Sequence, residues 1–152
     1  MTSASRSRIE RLVEVAPNLF DALVDESERQ GYRFMRRLAD EWASGANRFD
    51  RPGEALFAAR IDGRLIGACG LNVDPYTTAM GVGRVRHLYV LSASRRLGVG
   101  EQLVAHVIDA ASGRFGRLRL STQNPAAARL YERMGFSRSA GASDHTHFLE
   151  LQ

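Results

Sequence analysis

At 152 residues, with 44% hydrophobic and 25% charged side chains, the chain has the size and balance of one soluble globular domain, 1–152, rather than of a disordered segment. No apolar run approaches the roughly 18 to 20 residues of a membrane span, and the opening MTSASRSRIERL has no apolar secretory core, so a cytoplasmic protein without membrane contact is the expectation. The 21 basic residues are all arginine, which excludes lysine Schiff-base chemistry and the lysine-dependent phosphate loop; 17 acids are spread among them and the net charge is only +4, so a nucleic-acid partner is disfavoured.

In chain order, IERLVEV (9–15) alternates as a first strand and Pro17 closes it. From Asn18 to Ala46 apolar residues recur at helical spacing, and Gly31 divides the stretch into two helices. EALFAAR (54–60) and RLIGACGLN (64–72) flank Asp62-Gly63, a strong hairpin signal. Cys69, the single cysteine, sits in the second of these runs and reads as an inert core thiol. VRHLYVL (85–91) is a further strand. A helix then starts near Gly98, with Leu103, Val104, Val107, Ile108 and Ala111 as its buried stripe and Gly113 as its stop.

RLRLSTQ (117–123) follows as a strand. NPAAARLYERMGF (124–136) carries Asn124 as N-cap, Pro125 at the first helical position and Gly135 just past the end. FSRSA (136–140) and HTHFLEL (145–151) close the chain as strands. The order is strand, two helices, three strands, helix, strand, helix, two strands. It predicts an α/β fold with a mixed central sheet and helices on both faces.

RRLGVG (95–100) places two glycines where that third helix opens. Glycine inside a helix costs roughly 1 kcal/mol against alanine. Free N–H groups and the positive end of the helix dipole form a phosphate or pyrophosphate site there, which Gly98 and Gly100 would leave open and Arg95 and Arg96 would charge. A glycine-rich turn flanked by solvated arginines is the alternative reading.

These residues together resemble the GNAT superfamily of N-acyltransferases. VRHLYVLSASRRLGVGEQLV is similar to its acyl-CoA signature, Gln/Arg-x-x-Gly-x-Gly/Ala after a strand, with Arg95, Gly98 and Gly100 at the three fixed positions. NPAAARLYERMGF is similar to the second signature, an Asn-capped helix with a tyrosine, ending in Gly-Phe. The element order agrees from Ile9 to Leu151. The resemblance implies acetyl-CoA as cosubstrate, its pantetheine arm along the backbone of Leu88, Tyr89 and Val90. Its pyrophosphate would lie on the N–H groups of Arg96, Leu97, Gly98, Val99, Gly100 and Glu101, and Asn124 and Ala127 would touch the cofactor from the second signature helix. It also implies Val90 N–H as the partner of the thioester oxyanion and Tyr131 as the acid for the departing thiolate, the alternative for Tyr131 being a core residue.

The base departs from the family pattern. The positions that often hold a glutamate or histidine, four and six residues before Val90, are Arg86 and Arg84, and neither is a base at neutral pH. His87 is the catalytic candidate next to them, although strand alternation aims it at the other face unless a bulge turns it. A partnered strand histidine is its alternative. Arg84 and Arg86, sharing a face, would favour an anionic acceptor or else only cover the sheet with their stems. His145 and His147 without a third ligand give no metal site. The expected activity is acetyl transfer to a primary amine of a small molecule or protein, in a chain that a homodimer would suit. A catalytically silent acyl-CoA-binding module of the same fold is the alternative. Tyr32, Arg33, Trp42, Tyr76 and Asp144 are the acceptor-side candidates.

Overall fold

Asp62 and Gly63 both take positive φ, +53° and +78°, the turn geometry that lets two antiparallel strands meet without splaying. They join β2 (Ala55–Ile61) to β3 (Arg64–Val73). The computed structural model describes residues 7–151; residues 1–6 and Gln152, the ends of the span read as one domain, lie outside the described residues. β1 (Arg8–Arg11) pairs with β2 and is shorter than the alternation over 9–15 predicts. The reason is its partner: Leu12 N–H still reaches Leu56 O, and β2 begins at Ala55, so nothing is left for residues 13–15 to pair with.

β4 (Val82–Val90) runs antiparallel to β3, β5 (Arg117–Leu120) lies parallel to β4, and β7 (His147–Glu150) enters between β5 and the edge strand β6 (Ser137–Arg138). The seven strands stand in the order β1-β2-β3-β4-β5-β7-β6. α1 (Asp21–Arg29) and α2 (Phe34–Ser44) cover one face, α3 (Val99–Ala111) and α4 (Pro125–Arg133) the other. Two glycines of β3 mark those faces. A Cβ on Gly67 would sit 3.2 Å from Leu103 of α3, and one on Gly70 would sit 2.5 Å from the Phe49 ring on the opposite side. Leu103, Val104, Val107 and Ala111 are fully buried beneath α3; each larger one contributes about 1.5–3 kcal/mol by leaving water.

Two irregularities shape the molecule's centre. Ala68 pairs with Tyr89 and Gly70 with Arg86, so Cys69 alone faces both His87 and Leu88, and His87 takes φ +61° to accommodate the extra residue. In addition β5 pairs with β4 only from Val82–Arg117 to Arg84–Arg119. Beyond Arg84, six residues of β4 have no strand beside them on that side, and the sheet opens into a fork.

Candidate active site

The α3 N-terminus closes one end of the fork. Arg95 is extended, Arg96 and Gly98 take φ +72° and +77°, and the first helical hydrogen bond is Gln102 N–H to Gly98 O. The N–H groups of Val99, Gly100 and Glu101 therefore have no acceptor among the described residues and point out of the helix end. Glu101 turns its carboxylate sideways to Arg133, at 3.0 Å, instead of across that end.

The two glycines serve different needs. A Cβ on Gly98 would meet nothing within 4 Å, so its requirement is the left-handed conformation; one on Gly100 would come 2.9 Å from Leu130 Cδ1, so its requirement is close packing of α3 on α4. Arg95, expected to lend its charge to this site, is tied in part to β4. Its Nε donates to Val90 O (2.9 Å), and its guanidinium lies 5.2 Å over the Tyr89 ring, near Gln30. Arg96 and Leu97 are exposed. Of the pair, Arg96 alone stays outside such ties among the described residues.

The open edge of β4 follows from the bulge. Leu91 N–H donates to Ile66 O (2.8 Å), so by antiparallel alternation Tyr89 also bonds β3 while Val90 N–H points into the fork. Without the extra residue the parity would be reversed. Tyr89 thus offers the fork neither backbone nor ring: its ring packs on Phe34, and its hydroxyl donates to Gln30. From the far side Asn124 caps α4, accepting from Ala126 and Ala127 N–H, and its Nδ2 donates to Tyr32 Oη (3.2 Å), tying α4 to the turn between α1 and α2. Ala127 is half-buried.

Tyr131 lies two turns along α4, 5% exposed, its ring edge-on to Phe136 at 5.5 Å. Its hydroxyl has no hydrogen bond among the described residues. Burial, reinforced by the neighbouring Cys69, raises its pKa well above 10, so it holds its proton at every ordinary pH. Cys69, the residue facing the bulge, has its own thiol pushed up to about 12 by burial, which makes it a core thiol.

The bulge turns His87 onto the α1/α2 face, the same face as Arg86. Its Nδ1–H donates to Phe34 O (2.9 Å), and Phe49 packs edge-on at 6.2 Å. Burial first, and then the Arg86 charge, depress its pKa to about 3. Its Nε2 is buried without a hydrogen bond among the described residues. The imidazole is neutral and enclosed.

A polar cluster sits where the fork begins. Arg84, expected to face an acceptor, is buried and committed: Nη1 to Asp74 Oδ1 (3.4 Å), Nη2 to Ser121 Oγ (3.0 Å) and Asp144 O (2.7 Å), the guanidinium 4.4 Å from the Tyr76 ring. Burial lowers its pKa against the opposing pull of Asp74. Arg86 is freer, with one 3.4 Å bond to Asn72 Oδ1. Arg119 has its Nη1 4.0 Å from Asp74 Oδ2 and 3.8 Å from Asp144 Oδ2; its Nε and Asp74 Oδ2 are both buried without hydrogen bonds among the described residues. His145 Nδ1 stands 2.7 Å from Asp144 Oδ1. That bond, opposed by burial and assisted by Arg119, holds the Asp144 carboxyl below its ordinary range.

Thr122, Asn124, Pro125, Ser139, His145 and Thr146 border a cleft of about 370 Å³ beside this cluster. A larger one, about 530 Å³, lies elsewhere, between residues 13–21 and α2, and takes Trp42 away from the fork. The sequence offered Tyr32, Tyr76 and Asp144 as acceptor-side candidates, and Asp74, Asp144 and His145 as residues of loops or strand starts that could border the acceptor pocket. Arg119 carried no local signal, and the hydrogen bond between Asp144 and His145 is not encoded by their adjacency alone.

The acetyltransferase (GNAT) family model matches residues 16–136. Over 87 residues the chain is 37% identical to the Xenopus tropicalis protein named Probable N-acetyltransferase camello; the match covers 55% of this chain and 39% of that protein, so the chain spans about two fifths of that curated relative's length. Among solved structures, a candidate acetyltransferase from Exiguobacterium sp. 255-15 superposes with TM-score 0.84 at 25% identity, covering 95% of this chain and 93% of that one. A GNAT family N-acetyltransferase from Escherichia coli, in complex with CoA, has TM-score 0.69 at 20% identity, covering 100% and 85%.

Proposed function

This chain belongs to the acetyltransferase (GNAT) family, and on that premise we propose that it moves an acetyl group from acetyl-CoA to a primary amine of a small molecule or protein by direct attack. The observation that carries the reading is the fork: an unpaired β4 edge that leads directly to uncapped N–H groups at the α3 N-terminus. Those residues fit an acyl-CoA. Val99, Gly100 and Glu101 N–H would hold the pyrophosphate, the loop from Arg96 to Gly98 shapes its approach, and Leu88 and Val90 would present main chain to the pantetheine arm. Asn124 and Ala127 border the same opening from α4. The cosubstrate supplies an activated thioester whose C–S bond breaks as the amide forms.

The chain's own contributions are electrostatic and protonic. Val90 N–H, free of β3, would donate to the thioester oxygen as charge builds there, and one such donor is worth about 10²–10³ in rate. Tyr131 would protonate the departing sulfur from the side of the bulge. His87 fits the role of bulge residue better than that of base, because its one lone pair is buried and its pKa of about 3 makes it a weak proton acceptor. That same feature is what favours the second reading, a silent acyl-CoA-binding module. Calorimetry with acetyl-CoA, followed by a broad amine panel read by mass spectrometry, separates the two. Binding with transfer supports the enzyme, binding without transfer to any amine supports the silent module, and absence of binding refutes both.

A further inference from the structure

Resting on the transferase reading, we propose that His145, oriented by Asp144, is the base that takes the proton from the acceptor amine, and that the cleft it borders beside the fork receives that amine.

The four histidines differ in what their ring nitrogens have left to offer. His87 is enclosed, with Nδ1 spent on Phe34 O. His106 is on the solvent side of α3, bonded to Gln102 O. His147 has both nitrogens engaged, Nδ1 with Thr146 Oγ1 at 2.8 Å and Nε2 with Glu132 Oε2 at 2.9 Å. His145 alone has one nitrogen on a carboxylate and the other without a hydrogen bond among the described residues. Asp144 is ionised, so it can only accept; Nδ1 carries the hydrogen, and the lone pair is on Nε2. A base within reach of its proton, with its other nitrogen fixed by a carboxylate, is the arrangement that proton abstraction requires.

Its position is equally constrained. Arg84 Nη2 holds Ser121 Oγ and Asp144 O together, Thr146 N–H donates to Leu120 O, and Thr122 N–H donates to Thr146 Oγ1. These bonds pin residues 144–146 to the end of β5, where it parts from β4. The cleft bordered by His145 runs from there to Asn124. The carboxylates nearby are poorer bases. Asp74 is buried between Arg84 and Arg119, with Oδ1 3.4 Å from Arg84 Nη1 and Oδ2 4.0 Å from Arg119 Nη1, so its carboxylate is already engaged. The charged groups that face His145 and its carboxylate are Arg84 of β4, Arg119 of β5, Asp74 of the β3–β4 loop, Arg138 of β6 and the His147–Glu132 pair.

In the step, an ammonium gives a proton to His145 Nε2, leaving a neutral amine whose lone pair forms the C–N bond while the C–S bond breaks. Sulfur takes a proton from Tyr131, the second proton of the amide nitrogen replaces it, and His145 releases its proton to water.

The test compares wild type with His145→Gln and Asp144→Asn on primary amines of falling basicity, from an alkylamine to hydroxylamine, using labelled acetyl-CoA across pH 6–9. His145→Gln is expected to lower kcat for the alkylamine by about 10²–10⁴-fold and to change it little for hydroxylamine, which is already neutral. Its alkylamine rate should climb with pH as the free amine grows. Asp144→Asn should lower kcat for the alkylamine less than His145→Gln does, leave hydroxylamine nearly unchanged, and populate the Nε2–H tautomer of His145. Retained melting temperature and acetyl-CoA affinity guard against a folding defect, and nitrogen-15 NMR should find wild-type His145 as the Nδ1–H tautomer whatever the acceptor. Equal losses for all amines, no loss for the alkylamine, or an Nε2–H tautomer in the wild type each overturn the proposal while leaving the transferase reading intact. A wild type that acetylates none of the series overturns both.

Discussion

Tyr131→Phe removes one oxygen from α4 and leaves the ring where it packs on Phe136. The residue is 5% exposed, and its hydroxyl has no hydrogen bond among the described residues, so its loss forfeits no bond of the fold. The variant should melt within about 1 kcal/mol of wild type, a shift of a few degrees at most for a domain of this size. By contrast Tyr131→Ala, which empties a core site, should cost about 3–5 kcal/mol. Acetyl-CoA affinity should hold, since the phenol makes no contact that the ground state needs. The turnover number should fall about a hundredfold, the low end for a positioned acid because a thiolate leaves readily and water can substitute. Burial keeps the phenol protonated well above pH 10, so no alkaline limb should arise from it between pH 6 and 9. The assay is single-turnover acetyl transfer alongside calorimetry and thermal melting. A Phe variant that turns over at the wild-type rate at every pH would show that Tyr131 is a core residue and that the proton comes from elsewhere.

Gly98→Ala should cost about 1–2 kcal/mol from the left-handed backbone alone and weaken acetyl-CoA by distorting the N–H array, measured by melting and calorimetry. Gly100→Ala presses on Leu130, so adding Leu130→Ala should recover part of its loss; a double-mutant cycle with no coupling would mean that the glycine instead answers to the ligand. His87→Asn keeps a residue tolerant of φ +61° and removes a buried imidazole. The unfolded chain takes up a proton below pH 6.5 and the folded chain only near pH 3, so wild-type stability falls as pH drops through that window. Between pH 6.5 and 5 the loss is about 2 kcal/mol, and the variant should lack that part of the slope in denaturant melts.

Much of the architecture is written in local chemistry. Asp62-Gly63 dictates a hairpin, Asn124-Pro125 a helix start and the stripe from Leu103 to Ala111 a buried helix face, because each needs only neighbours in sequence to be satisfied. The glycines at 98 and 100 likewise mark the helix that opens the fork. What tertiary structure decided is where side chains with several options spend their hydrogen bonds. Arg84 and Arg95, which sequence alone presents as free charge, are drawn to the carbonyls of Asp144 and Val90. His87 is swung across the sheet by one extra residue opposite Cys69, and Asp144 with its neighbour His145 is brought to the fork by Arg84, 60 residues earlier, which bonds Asp144 O there. Periodicity and caps report a residue's own φ, ψ and face, whereas bulges, splayed strands and shared acceptors depend on which distant backbone arrives beside them. No spacing within the chain encodes that arrival.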